Sequence, residues 1–296
     1  MVYRKTSWRA SVKTNSQNRS LTTALCILLL LIIVLSCMLI YSFQRQKTTL
    51  ELEEGTNVPA TSGLGPDKIE FQSTIDDWVN STAGDRSVII YDLDRDEVAG
   101  AYNSSENYNI DSLYKLFVVY EGYKRVQSGE WDAADVLDCL DLAIRESDSI
   151  CAETLWDNIG TTELDEAFNL NISDFSLSSE DIAGIMKSFY HLPETLDNSL
   201  ATRMKDSFLN QPETTYNWRQ GLPNGFAKAN VYNKVGWDFN TDAGYWNTYH
   251  DAAIVEYPAE NRHFVVVVMT SHVPFQAISK LGALIEEAFL VSTKEL

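Results

Sequence analysis

Phe264-Val265-Val266-Val267-Val268-Met269 is the stretch that decides the fold of this 296-residue chain. An apolar run rich in β-branched residues is the composition of a strand. Successive strand side chains point to opposite faces, so a run apolar at every position is buried on both. It therefore predicts a central strand with a covering layer on each side. Just upstream, residues 228–236 and 243–257 read as two more strands, and residues 275–291 close the chain as a helix. Residues 87–91 and 98–102 read as a pair of strands joined at Asp94-Arg95-Asp96-Glu97, a hairpin. Neither strand group closes a core alone, so the two join in one sheet.

Helical patterns fill the space between the strand groups. Val136, Leu137, Leu140, Ala143 and Ile144 share one face within a helical block at residues 111–160. Ser178-Ser179-Glu180-Asp181 is a helix start signal, residues 196–209 make a further helix, and residues 67–80 make one ahead of the hairpin. The expected class is α+β: an antiparallel β-sheet with helices on both faces plus a helical subdomain, all within residues 67–296. The D-x-D-x-D run at Asp92, Asp94 and Asp96 lacks the glycine and final glutamate of a calcium loop, and reads as a solvated hairpin tip.

The front of the chain is of another kind. Residues 24–41, ALCILLLLIIVLSCMLIY, carry no charge, and the wider stretch 23–43 is long enough to cross a ~30 Å hydrocarbon core as a helix. Before it stand Arg4, Lys5, Arg9, Lys13 and Arg19 without an acidic residue. That bias predicts a cytoplasmic tail at 1–22, an uncleaved transmembrane helix at 23–43, a linker at 44–66 rich in turn formers, and an extracytoplasmic domain beyond. Beyond the tail, 18 of the 23 basic residues face all 42 acidic ones. Such a charge repels nucleic acid, and no nucleic-acid partner is expected. Cys139 and Cys151 fall in the exported part, where they either pair or serve as two small buried hydrophobes. His191, His250, His263 and His272 show no metal spacing and no phosphate loop is present, so neither metal nor cofactor is expected.

Three short motifs carry the chemistry. Asp111-Ser112-Leu113-Tyr114-Lys115 opens an apolar helix, with Asp111 placed to cap it. Lys115, three residues on, shares a helix face with Ser112 and can reach its hydroxyl. A serine becomes a nucleophile when a base takes its proton, and a lysine is such a base once burial or a second cation lowers its pKa. Ser147-Asp148-Ser149 lies where one helix ends and the next begins. Lys234-Val235-Gly236 lies on a strand ahead of the terminal strand and helix. The order S-x-x-K, S-D-x, K-x-G is the signature order of active-site-serine acyl transferases.

On those motifs the chain resembles the class A β-lactamase and penicillin-binding protein superfamily over about residues 67–294. The resemblance implies Ser112 as nucleophile, Lys115 as its base, Ser147 as the proton relay to the leaving nitrogen and Lys234 as a cation beside the substrate carboxylate. It further implies substrate contacts from Ser149, Gly236 and Trp237. Gly236 would let the substrate approach the backbone, and the N–H groups of Ser112 and Trp237 would form an oxyanion hole. The substrate would be a small molecule such as a β-lactam, or a peptidoglycan peptide. Two residues depart from the pattern: Ser149 stands where Asn is usual and Val235 where Thr or Ser is usual. Lactamases also carry a loop glutamate in an E-x-x-L-N context that activates the deacylating water. Glu153, Glu163 and Glu166 all lack that context, so the loop is expected to be deleted and deacylation slow. A second reading stays open, in which the domain keeps the fold as a catalytically silent wall-binding or sensor domain.

Overall fold

The computed structural model describes residues 68–211 and 218–294. The basic tail, the expected span at 23–43 and the linker lie outside the described residues. Among the described residues, no helix is long and apolar enough to cross a membrane.

In chain order the elements are α1 (Gln72–Ser81), β1 (Asp85–Asp92), β2 (Glu97–Tyr102), β3 (Asn107–Asn109), a 3-10 turn (Asp111–Leu113), α2 (Tyr114–Ser128), α3 (Ala133–Arg145), α4 (Ser149–Ile159) and α5 (Thr161–Phe168). They continue as β4 (Ser176–Ser178), α6 (Ser179–His191), α7 (Asn198–Leu209), the short α8 (Leu222–Gly225), β5 (Asn230–Asn240), β6 (Tyr245–Tyr257), β7 (Arg262–Ser271) and α9 (Phe275–Lys294). Five strands form one antiparallel sheet in the order β2-β1-β7-β6-β5. The apolar run is β7, at the centre. Val265, Val267 and Met269 enter the core shared with the helical block, while Phe264, Val266 and Val268 enter a second core under α1 and α9. Each buried valine contributes about 1.5–3 kcal/mol relative to exposure, which is why this strand takes the middle.

Two expectations at the front are corrected. The first helix begins at Gln72 rather than 67: Phe71 donates its N–H to Ala99 O at 2.9 Å, tying that segment to β2 before the helix starts. The hairpin is solvated at its tip, where Arg95 and Asp96 are exposed, but not at Asp92. Asp92 is 1% exposed and takes a 2.6 Å contact from Arg262 Nη2, while its other oxygen accepts from the N–H groups of Asp94 and Arg95. An arginine from β7 supplies the countercharge, which the local spacing of the aspartates does not reveal.

The helix starts are dictated by their caps. Ser178 and Asp181 form a reciprocal capping box on α6. Asp148 caps α4 by accepting from Cys151 N at 2.8 Å. Cys139 on α3 and Cys151 on α4 are joined by a disulfide, so of the two readings open for them it is the pair that holds. The small β3–β4 ribbon pairs Asn109 with Ser176 just before the Ser112 turn.

Candidate active site

The site lies between the edge strand β5 and the start of the helical block. Ser112 sits in the 3-10 turn that leads into α2, and Lys115 follows in the first turn of that helix. Asp111 does not cap this helix. Its backbone adopts a left-handed φ of 44°, and its carboxylate accepts from Thr248 Oγ1 on β6 at 2.5 Å. The cap fails because the backbone turns the side chain toward the sheet. Ser147 has a left-handed φ as well, 56°. Each costs about 1 kcal/mol or more for a residue with a Cβ, so each is held by its contacts.

Those contacts make one cluster. Lys115 Nζ donates to Ser112 Oγ at 3.2 Å, to the Ser147 carbonyl at 2.6 Å and to Ser149 Oγ at 3.2 Å. Ser147 Oγ lies 3.3 Å from Lys115 Nζ and accepts from Lys234 Nζ at 2.8 Å. Lys234 also donates to the Val235 carbonyl at 2.7 Å. Ser112, Lys115, Ser147, Ser149 and Lys234 are thus brought together. Both lysines are 1% exposed. Burial pulls the Lys115 ammonium down to about 8, against the upward pull of Asp148 and Glu153. Burial lowers Lys234 well below the ordinary range, and the neighbouring Lys115 lowers it further, with Asp251 pulling the other way.

Gly236 has a packing reason of its own. A methyl group there would lie 2.8 Å from the Ile110 carbonyl and 3.2 Å from Leu113 N. The glycine makes room for the chain's own serine-bearing turn, so that β5 closes against it. Val235 faces away and packs in the second core. Trp237 turns its ring to an aromatic group, stacked on Trp218 at 5.5 Å and edge-on to Trp246 at 5.3 Å.

A second layer beneath the cluster went unread in the sequence. Asp251, fully buried on β6, accepts from Asn233 Nδ2 at 2.9 Å and from Leu222 N at 2.7 Å. Burial pushes its carboxyl up to about 7, opposed by those hydrogen bonds and by Arg219 and Lys234. Beside it, His250 stands against Asn109 O at 2.7 Å and accepts at Nδ1 from Thr270 N at 3.0 Å. A carbonyl only accepts and an amide N–H only donates, so these partners fix the proton on Nε2. Burial lowers this imidazole to about 4, which keeps it neutral beside Asp111. The sequence signal was present: His250-Asp251 stands directly ahead of the apolar run Ala252-Ala253-Ile254-Val255.

The loop that would carry a deacylating glutamate is absent from this geometry, because only residues 169–175 connect α5 to β4. Glu166 is exposed on α5, and Arg125 holds Glu163 at 2.5 Å.

The sequence model of the beta-lactamase enzyme family matches residues 70–137 and 131–289, most of the chain. The chain belongs to that family. No curated protein matches the sequence. Among solved structures, this β-lactamase-family chain is similar to a β-lactamase from Chitinophaga pinensis, with 14% identity, a TM-score of 0.60, and 75% of this chain and 98% of that one covered. It is likewise similar to a class A β-lactamase from Bacteroides cellulosilyticus, at 12% identity and TM-score 0.62, covering 74% and 98%. An ancestral class A β-lactamase shares 17% identity at TM-score 0.60, covering 74% and 100%. At such identities the likeness is one of fold.

Proposed function

We propose that the chain is a membrane-anchored, outward-facing serine hydrolase that works through an acyl-serine intermediate on a β-lactam or a cell-wall peptide. One observation carries the reading. Lys115 Nζ stands 3.2 Å from Ser112 Oγ, and its hydrogen-bond partners are three hydroxyls and a carbonyl rather than a carboxylate. Burial with no carboxylate in hydrogen-bond reach lowers the proton affinity of this lysine, and its neutral form can accept the serine proton.

Ser112 Oγ attacks the substrate carbonyl as Lys115 takes its proton, and the oxyanion is held by the N–H groups of Ser112 and Trp237. Ser147 Oγ lies between both lysines and passes a proton to the leaving nitrogen as the carbonyl–nitrogen bond breaks. A substrate carboxylate beside Lys234 raises its proton affinity. A proton on Lys115 then moves to Ser147 Oγ as the Ser147 hydroxyl proton passes to Lys234, which leaves Lys115 neutral for the attack. Deacylation lacks a positioned base and is slow.

The test is labelling of the purified chain with a fluorescent penicillin. Labelling is expected, Ser112→Ala should abolish it, and Lys115→Ala should slow it by roughly 10²–10⁴. Labelling that survives Ser112→Ala moves the nucleophile elsewhere. The substitution of Asn by Ser149, and Val235 turned into the core, favour the second reading of a silent binding domain. A folded chain that no acyl probe labels would establish that instead.

A further inference from the structure

The short connection at residues 169–175 leaves a cleft of ≈ 450 Å³ beside the serine–lysine cluster. We propose that this cleft is a subsite for a cationic side chain, an ammonium or guanidinium group, on the acyl donor. The words "acyl donor" rest on the serine hydrolase reading; the cation site itself does not.

Ser149, Glu153, Trp156 and Asp157 line the cleft from one face of α4, at i, i+4, i+7 and i+8. Ser149 is the link to the cluster, since its hydroxyl accepts from Lys115 Nζ at 3.2 Å. Tyr114 and Phe175 add two further rings to the wall, beside Thr161 and Ser173. The Trp156 and Phe175 rings stack at 5.8 Å and 12°, and Tyr114 meets them edge-on at 5.7 and 5.3 Å. Trp156 Nε1 donates to Thr161 Oγ1 at 2.9 Å, which fixes the indole. Phe175 is 40% exposed at a left-handed φ of 51°, a costly placement for a large apolar ring that core packing does not explain.

Aromatic faces attract cations, and exposed Glu153 and Asp157 add negative charge with no basic side chain in the lining. Glu153 and Asp157 disfavour a carboxylate or phosphate side chain on their side of the cleft, while Lys115 lies 5.5 Å from the Tyr114 ring centroid and donates to Ser149 at the other. The volume fits a small-molecule subsite. A cationic group is therefore the occupant that both the rings and the charges select.

The first arm of the test is calorimetric titration of the full chain with choline and with its neutral isostere, 3,3-dimethylbutan-1-ol. Choline should bind roughly tenfold tighter or better, and the double variant Glu153→Gln/Asp157→Asn should remove that preference. Equal affinities, or no choline binding, overturn the site. The second arm compares labelling rates for 6-aminohexanoyl-penicillin and heptanoyl-penicillin, which differ by one ammonium. The ammonium should label roughly tenfold faster, and the ratio should fall to about one in the double variant. Choline binding with equal labelling rates overturns the assignment to the acyl donor. Choline binding without labelling by either penicillin overturns the acyl-serine reading and leaves the cation site standing.

Discussion

Lys115 and Gly236 carry the two predictions that belong to single residues. With its ammonium lowered to about 8, the neutral fraction of Lys115 rises as pH climbs through that value. If it is the base, the labelling rate should rise with pH, level off above about 8, and lose that dependence in Lys115→Ala; a flat profile from pH 6 to 10 would remove Lys115 from the role. The linkage has a definite sign. The unfolded chain holds a proton near pH 10 that the folded chain has released, so Lys115 contributes a gain of stability as pH rises from about 8 toward 10.5. At Gly236 an alanine methyl would press on the Ile110 carbonyl at 2.8 Å, backbone that cannot rotate away. Gly236→Ala should cost about 1–3 kcal/mol in urea unfolding and slow labelling with it. A neutral effect on both would mean the turn shifts freely. The Ser112–Lys115 pairing was legible because the helical repeat puts i and i+3 on one face. The role of Asp111 was not, since a left-handed backbone at a non-glycine residue is set by tertiary contacts such as its bond to Thr248.

Between elements, the Cys139–Cys151 disulfide ties α3 to α4, the helix that begins at Ser149. Closing a loop over a sequence separation of 12 stabilises by about 3 kcal/mol on the chain-entropy account. Cys139→Ser/Cys151→Ser should therefore lose about that much in denaturant midpoint times slope, and an unchanged midpoint would show the bond to be dispensable. The shortened α5–β4 connection bears on rate. Acylation and deacylation each need a proton acceptor, and losing a positioned base costs on the order of 10²–10⁴. Intact-protein mass spectrometry after mixing with penicillin should show an adduct on Ser112 that persists; fast turnover without an adduct would place a base elsewhere. Elements with long apolar signals, such as the unbroken run of β7 and the helical pattern of α9, were readable from sequence. The β3–β4 ribbon was not, because three-residue strands carry no period and their pairing is decided by partners far along the chain.

For the whole molecule, the proposed membrane anchor would decide where the domain works. Most apolar side chains of the described domain pack in two cores on either face of one sheet, and beyond the basic tail 18 basic residues stand against 42 acidic ones. The proposed anchor rests on residues 23–43 with five basic residues ahead of them and the acidic excess behind. Basic flanks are retained on the cytoplasmic side, whereas a long segment beyond the span translocates largely regardless of its charge. A disulfide between α3 and α4 is of a kind that persists in an oxidising compartment, which agrees with export. Protease added to intact cells, with any wall removed, should accordingly digest the domain beyond residue 44 while an epitope on the 1–22 tail survives until lysis. Protection of the domain would reverse the orientation. A mature form lacking residues 1–43 would turn the anchor into a cleaved signal, and the domain would then meet its substrate in solution.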